Sequence, residues 1–537
     1  MVADNQTKSQ PTAAGNCKTY QPHPPLSGYT RPEGAAQGLD PRTVRQGLQK
    51  MKQRNLLIWV NCLLFVLVTA VYLAAKAGWI AKEMCLVSLS MILLGYLAFE
   101  INLLRRDYVN PYWPINPVVL ASFITFVLQF GITNILYFLP EDILTSVGAY
   151  PEVTEAMNYL MLLVLVGAFA MWRGYRSRMS VAVSKVVSKN SGLNNIFKRS
   201  YHLRPFFLAA SVGLSLLSRL GGIWLGVYGY SSEYSLLYDL AKYTQYLTLG
   251  ESLGKVALIS VALQYYSQEA RKVPAPILYA LLAYEVLFGL LSGFKGQIGM
   301  PFLIVGLCKF YQQRKFPVWV VGAVFIGVIA GYLVVEPFRI VRYQDPGFEG
   351  RTVSGIYRSM LDRDIFYEPT RDDLLSIPLK FISRINLTYI GSLGIEYADT
   401  GSLPDGSPDF LMNVFLAPAH ALVPRIIWES KPYQDIGLWY TRVVLGHNTL
   451  SSTGMSPFTY LYFAGGVISV FLGFFVVGIV QRTWWDAFFH GGSGSALLFF
   501  GMLGALVVID SAFDAFFVAL FRMTPLLLIV QYGLFRK

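Results

Sequence analysis

Apolar runs long enough to cross a bilayer recur along most of the chain after a polar beginning. A helix needs about 20 apolar residues to span the hydrocarbon core, with roughly 17 to 25 tolerated. Twelve runs approach this length, near residues 56–74, 84–101, 116–138, 157–172, 206–226, 252–268, 275–292, 297–311, 317–335, 458–480, 494–510 and 516–534. The pattern predicts an all-α polytopic membrane protein with about 12 transmembrane helices.

Two stretches interrupt this rhythm and divide the chain. Residues 1–55 are polar and rich in Pro, Gly and Gln, which predicts a disordered cytoplasmic leader rather than a signal peptide. Residues 336–457 are predicted to form a large loop outside the cytoplasm, and its apolar positions at helical spacing predict short amphipathic or interfacial helices. Transmembrane helices 1–9 then occupy 56–335, and helices 10–12 occupy 458–537.

Basic residues mark one side of the predicted membrane. The connection between the fourth and fifth helices has no acidic residue and carries Arg173, Arg176, Arg178, Lys185, Lys189, Lys198, Arg199 and Arg204. The acidic connection 139–156 falls on the opposite side. Since cytoplasmic loops collect Lys and Arg, this alternation predicts that both termini are cytoplasmic.

Composition agrees with a membrane location and excludes several other classes of protein. Charged residues make up 14% of the chain and hydrophobic residues 54%, whereas soluble domains are about a quarter charged. The net charge of +12 follows from the cytoplasmic loops and does not indicate nucleic-acid binding. The cysteines lack a CxxC spacing, and the chain has no P-loop, GxSxG or HExxH motif. We therefore expect neither a metal site nor a cofactor.

Arginine is concentrated in the large loop, which contains Arg339, Arg342, Arg351, Arg358, Arg363, Arg371, Arg384, Arg425 and Arg442 but only Lys380 and Lys431. Guanidinium groups make planar, bidentate contacts with phosphate, so the cluster favours binding of an anionic lipid head such as a diphosphate. Pairing with the loop's own acids is the alternative. Lys295, in the Gly-flanked string SGFKG, also suits an anion site, with an ordinary snorkelling lysine as its alternative.

Three further residues have side chains that suit catalysis or binding. Arg219 and Glu285 lie inside predicted membrane helices, where charge is costly, and they form either a structural ion pair or part of a substrate site. His447, just before the tenth helix, is a candidate general base because histidine side chains exchange protons readily, although a structural histidine is the alternative. Acidic candidates for the base are Glu336, Asp364 and Glu396.

Several strings together resemble the Wzy-type repeat-unit polymerases of O-antigen and exopolysaccharide assembly. The string VPRIIWESKP supplies Pro424, Arg425, Trp428, Lys431 and Pro432. The other strings are Arg384–Asn386, SGFKG, and Arg339 with Gly350, which have ten residues between them. The predicted helix count and the large loop between helices 9 and 10 add to the resemblance. One position departs from it, because Thr459 stands where many members have a Glu.

The resemblance implies a GT-C-like fold and a metal-independent, inverting glycosyltransferase of the bacterial inner membrane. Undecaprenyl-diphosphate-linked oligosaccharides would be donor and acceptor, joined at the outer face of the bilayer, with a flippase and a chain-length regulator as further partners. Neither nucleic acid nor a cofactor is implied. The alternatives are a flippase or transporter of lipid-linked glycan, and an O-antigen ligase of the same fold.

The resemblance to the Wzy-type polymerases implies a role for each candidate residue. The catalytic candidates are His447, Arg442 and Arg425. The candidates for binding the substrate diphosphate are Lys295, Arg339, Arg342, Lys431, Arg384 and Arg219.

Overall fold

The fold was analysed in a computed structural model. It describes residues 41–107, 111–146, 152–189, 202–229, 240–267, 273–315, 317–331, 371–401, 403–429, 431, 436–447, 452–489, 495–509 and 512–535. These residues are almost entirely helical and contain one isolated β-bridge, between Leu203 and Phe535. The chain divides into two units, Met1–Cys62 and Leu63–Lys537.

The described helices are numbered in chain order. In the first half they are α1 Pro41–Lys76, α2 Lys82–Asp107, α3 Pro117–Ala121 with its π and 3-10 continuations Ser122–Gly131 and Ile132–Phe138, α4 Glu141–Ser146, α5 Glu155–Arg176, α6 Arg178–Lys189, α7 Pro205–Trp224 and α8 Ala241–Tyr266. In the second half they are α9 Ala275–Leu291, α10 Lys295–Gln313, α11 Trp319–Ala330, α12 Arg371–Ile385, α13 Thr388–Asp399, α14 Phe410–Leu422, α15 Ile436–Trp439 with its π continuation Tyr440–Val444, α16 Pro457–Trp484 with its π continuation Trp485–Phe489, α17 Ala496–Val507 and α18 Phe513–Leu534.

The prediction of a polytopic helical membrane protein is confirmed. Each of the twelve predicted runs coincides with a helix. Within the described residues, eight helical segments are long and apolar enough to cross a bilayer: Leu56–Lys76, Lys82–Arg106, Pro117–Phe138, Glu155–Arg176, Pro205–Trp224, Lys242–Tyr266, Pro457–Phe489 and Phe513–Leu534. The helices α9, α14 and α17 are apolar but shorter. A count of twelve spans stays a prediction, and so does the GT-C-like fold.

Glycines bring α5 and α16 into close contact. A Cβ on Gly478 of α16 would lie 2.0 Å from the carbonyl oxygen of Met171, and one on Gly174 of α5 would lie 2.0 Å from that of Phe475. Small residues allow helix backbones to approach in a bilayer, where dispersion contacts replace the hydrophobic effect as the force that holds helices together. These glycines therefore set the distance between the two helices.

Aromatic side chains fill the space beside this contact. The rings of Phe458 and Phe474 stack with centroids 4.6 Å apart, and Phe126 meets both of them edge-on at 5.6 Å. Phe513 of α18 continues the cluster at 6.1 Å from Phe474. All four rings are buried, so α3, α16 and α18 share one aromatic core.

A buried hydrogen-bond network joins part of the predicted large loop to the membrane helices. The Oδ1 atom of Asn134 accepts from Asn386 Nδ2 (3.2 Å) and Thr388 Oγ1 (2.7 Å), and Asn134 Nδ2 donates to Ser90 Oγ (3.0 Å). Asn386 also accepts from the Thr388 backbone N–H at 2.8 Å, where α12 ends and α13 begins. The asparagine of the Arg384–Asn386 string therefore has a structural role.

We predict that Gly478→Ala destabilises the protein by roughly 1 to 3 kcal/mol, because the added methyl group meets backbone atoms of α5 that have no side-chain freedom. Gly504→Ala in α17 is the matched control, since no atom lies within 4 Å of the added Cβ. Thermal unfolding of the two purified variants in detergent measures the difference. Equal midpoints for both variants would contradict the proposed role of Gly478.

Candidate functional site

The segment that follows α14 folds into a compact turn. The backbone N–H groups of Ile427 and Trp428 both donate to the carbonyl oxygen of Pro424 at 3.0 Å. The indole of Trp428 then stacks on the imidazole of His420, with ring centroids 5.5 Å apart. The string VPRIIW thus folds back on itself through its own hydrogen bonds, and the ring contact holds it against the last turn of α14.

Lys431 is buried beneath this turn. Its Nζ donates to the carbonyl oxygens of His420 (2.5 Å) and Val423 (3.1 Å), which belong to the carboxyl end of α14. A cation is favourable at this end of a helix, where carbonyl groups lack partners in the next turn. Arg425 Nη1 donates in turn to the carbonyl oxygen of Lys431 at 2.5 Å. The predicted diphosphate ligand Lys431 and the predicted catalytic Arg425 are therefore neighbours.

Positive charge accumulates around Lys431. Burial, together with the nearby charges of Arg522 and Arg425, lowers the pKa of the Lys431 amine to about 8. Burial also lowers the pKa of His420, assisted by Lys431 and Arg425. We call Arg425, Lys431 and Arg522 the positive cluster. Because an anion stabilises a buried cation that has other cations nearby, this cluster favours binding of an anionic group.

A second polar region is a cavity of about 310 Å³ that is lined by side chains from α7, α8, α9 and α10. Its charged and amide residues are Arg219, Glu251, Lys255, Glu285 and Gln297. We call it the polar cavity. Charge inside a membrane helix bundle is costly, so such residues mark either a structural lock or a binding site.

Arg219 and Glu285 form a buried ion pair beside the polar cavity. The Nη2 atom of Arg219 lies 2.9 and 2.8 Å from the two carboxylate oxygens of Glu285. The guanidinium also lies over the rings of Tyr284 and Phe288, at 4.8 and 4.9 Å from their centroids. The two side chains are 5% and 2% exposed. The predicted Arg219–Glu285 pair is therefore confirmed as a contact, and Glu285 already neutralises the arginine.

Lys255 and Glu251 of α8 also line the polar cavity. Lys255 Nζ donates to Gln297 Oε1 at 2.7 Å, and Glu251 contributes an acidic side chain one turn earlier in α8. Phe294 and Gln297, on either side of Lys295, both line the cavity. Lys295 itself begins α10, but its side chain lies outside the described part of the chain.

The other predicted site residues lie elsewhere. Arg384 is exposed near the end of α12, and Arg442 is exposed in the π turn after α15. His447 is also exposed, and its backbone N–H donates to the carbonyl oxygen of Thr441 at 3.0 Å. Arg339 and Arg342 lie outside the described residues. The contacts described above therefore connect Arg425 with Lys431 and place Arg219 in the polar cavity.

Glu396, an alternative candidate for the base, lines a separate open cavity of about 610 Å³ together with Glu155 and Asp399. Tyr462 donates to Asp399 at 2.8 Å at the same place. The other acidic candidates, Glu336 and Asp364, fall outside the described residues. Within the portion of the chain described, no group of three or more His, Cys, Asp or Glu side chains is arranged to hold a metal ion.

Thr459, which departs from the family pattern, makes a structural contact. It is fully buried, and its Oγ1 donates to the carbonyl oxygen of Gly391 at 2.9 Å. This bond ties α16 to α13. The hydroxyl therefore has a backbone partner and does not stand free for chemistry.

Sequence reasoning missed Glu251 and Lys255 as site residues. The predicted sixth membrane run begins at residue 252, because the polar residues before it lower the local hydropathy, whereas α8 begins at Ala241. The predicted run therefore leaves Glu251 outside the helix. Arg522 lies within the predicted run 516–534, but only the packing of α14 against α18 places it near Lys431.

We predict that Glu285→Gln lowers the free energy of unfolding by about 3 to 5 kcal/mol, because it leaves the buried Arg219 guanidinium without a counter-ion. The double variant Arg219→Gln/Glu285→Gln removes both charges and is expected to lose less. Glu83→Gln, at an exposed position of α2, is the control. Thermal unfolding in detergent distinguishes the variants, and a double variant less stable than Glu285→Gln would contradict a compensating pair.

Comparison with known proteins identifies one family. The model of a family described as a domain of unknown function, DUF8712, matches residues 222–516. This match covers more than half of the chain and includes α8 to α17 in full. No curated protein and no solved structure matches the chain. The chain therefore belongs to the DUF8712 family, whose function is unknown.

Proposed function

We propose that the protein is a membrane-embedded glycosyltransferase that joins lipid-linked oligosaccharide repeat units into O-antigen or exopolysaccharide. The single observation that carries the proposal is the environment of Lys431, which is buried and surrounded by the positive charges of Arg425 and Arg522. Two of these three cations belong to the string that resembles the Wzy-type polymerases. A cluster of positive charges suits a diphosphate, the group that a lipid-linked donor carries.

The reaction requires charge stabilisation at the leaving group. A hydroxyl oxygen of the acceptor sugar attacks the anomeric carbon of the donor, the bond from that carbon to the diphosphate oxygen breaks, and the configuration inverts. The electron pair of the broken bond stays on the lipid diphosphate, where preorganised cations lower the barrier. Arg425 and Lys431 serve this role in the proposal, with Arg442, Arg384 and Lys295 as further ligands.

The proton of the attacking hydroxyl passes to a general base. His447 and Glu396 are the described candidates, the first exposed after the π turn and the second in an open cavity. An imidazole accepts a proton readily near neutral pH, which favours His447. The base has to lie within hydrogen-bond reach of the acceptor hydroxyl. The position of the bound acceptor sugar therefore determines whether His447 or Glu396 is the base.

The proposed location is the bacterial inner membrane, with the reaction at its outer face. The basic connections then lie in the cytoplasm together with both termini, as the positive-inside rule predicts. Undecaprenyl-diphosphate-linked donor and acceptor would reach the site from the bilayer. An O-antigen ligase would use the same chemistry with a different acceptor.

A transporter of lipid-linked glycan is the second candidate function. It is favoured by the polar cavity, because ionisable residues buried between membrane helices often line a substrate or proton path. The two functions differ in outcome, since a transporter moves a repeat unit across the bilayer without forming a glycosidic bond.

We predict that Arg425→Ala and Arg442→Ala each reduce polymer formation by about a hundredfold, because each removes a cation that stabilises leaving-group charge. The assay uses the purified protein, a defined undecaprenyl-diphosphate repeat unit and gel separation of the products. Lys242→Ala, an exposed lysine at the start of α8, is the control and should retain full activity. Normal chain lengths in both arginine variants would contradict the site. Transfer of labelled glycan across vesicle membranes without joining of repeats would contradict the enzyme itself.

The pH dependence of the reaction tests Lys431. Its pKa of about 8 means that the amine loses its charge as the pH rises through about 8, so we expect the polymerisation rate to fall there. Lys431→Arg keeps its charge and should retain activity to higher pH. The free energy of unfolding changes in the opposite direction. Because the pKa of folded Lys431 lies below the ordinary value of 10.5, the cost of burying its charge is fully present below pH 8 and decreases as the pH rises from about 8 to 10.5. Identical rate profiles for the two proteins would contradict a role for the Lys431 charge.

A further inference from the structure

The polar cavity differs from the positive cluster in its balance of charge. It brings two basic side chains, Arg219 and Lys255, together with two acidic ones, Glu251 and Glu285. A phosphate group would meet both carboxylates, and a cation would meet both basic groups. The cavity therefore favours an uncharged ligand, which gains hydrogen bonds from either type of side chain without repulsion from the other.

Arg219 presents a donor without a partner. Its Nη2 atom contacts both oxygens of Glu285 and lies 3.4 Å from the carbonyl oxygen of Glu251, whereas Nη1 has no hydrogen-bond partner among the described residues. The whole residue is only 4% exposed. A buried donor left unpaired costs roughly 1 to 3 kcal/mol, so an acceptor oxygen at this place would stabilise the site.

The remaining walls supply acceptors and apolar faces. Glu251 contributes a carboxylate, Ser252 a hydroxyl, and Tyr228 and Phe288 line the cavity with aromatic rings. A ligand with hydroxyl groups around its edge and C–H groups on its faces matches this arrangement. The volume of about 310 Å³ lies at the lower end of the usual range for ligand pockets, which limits the occupant to one small ring.

We propose that the polar cavity binds one uncharged sugar residue. Arg219 Nη1 and the Lys255 amine donate hydrogen bonds to its oxygens, and Glu251 accepts from one of its hydroxyl groups. That this sugar belongs to a lipid-linked glycan rests on the proposed function. The assignment moves Arg219 from the diphosphate to the sugar and leaves the diphosphate to the positive cluster.

Saturation-transfer NMR on the full-length protein in detergent tests the assignment. The probes are the methyl glycosides of glucose, galactose, mannose, rhamnose and N-acetylglucosamine, each added alone and then with inorganic diphosphate. At least one glycoside should receive saturation from the protein, and diphosphate should not displace it. Glu251→Gln and Lys255→Met should each weaken that binding by about tenfold, the value of one hydrogen bond to a charged group.

Lys242→Met is the matched control, because it makes the same change in the same helix at an exposed position outside the cavity. It should bind the glycoside as the unaltered protein does. Glu251→Gln preserves the size of the side chain, and the thermal midpoint of every variant shows whether it is folded. If one cavity variant fails to fold, the other still tests the site.

Two results would overturn the assignment. Either none of the five glycosides binds, or diphosphate displaces the bound glycoside and Lys255→Met weakens diphosphate binding. Polymerisation could still occur in both cases, so the proposed function would stand. Conversely, glycoside binding that depends on Glu251 and Lys255, in a protein that forms no polymer, would leave the sugar site intact and contradict the polymerase.

Discussion

The exclusion of water from the space between membrane helices is the constraint on which the structure depends. Every buried polar group then needs a partner within the protein. Asn134 satisfies this requirement by binding Ser90, Asn386 and Thr388 at once, and it thereby connects three separate parts of the chain. The Nη2 group of Arg219 satisfies it through Glu285. The same groups that lower the cost of burial therefore decide which helices lie side by side.

The polar cavity and the positive cluster differ in how their buried charges are balanced. In the polar cavity each cation has an acid nearby, so the sum of formal charges is zero and the site suits a neutral ligand. In the positive cluster Lys431 donates to helix carbonyl groups, while the charges of Arg425 and Arg522 that act on it are positive. Positive charges held close together favour binding of an anion. A lipid-linked glycan carries both kinds of group, one beside the other.

Much of the helical framework was predictable because membrane helices have a strong, local signal of length and hydropathy. The start of α8 was not, since its first turns are polar and lower the local hydropathy below that of a membrane run. For the same reason Glu251 was placed outside the helix that carries it. The strings around Arg384 and Lys431 predicted substrate binding, yet Asn386 and Lys431 also form hydrogen bonds at the ends of helices. The sequence of a motif does not distinguish substrate binding from helix capping, because both require the same donor and acceptor atoms.

The sequence by itself determined that this chain is a polytopic helical membrane protein. It also identified Arg219, Glu285 and Lys431 as charged candidates for a structural or functional role. These conclusions depend on composition and local periodicity, which do not require knowledge of distant neighbours. Only the tertiary structure decided that Arg219 binds Glu285, that Lys255 and Glu251 share their cavity, and that Arg522 lies near Lys431. Each of these sets brings together residues from segments that lie far apart in the sequence, and charge interactions weaken with distance, so packing alone decides which of them meet.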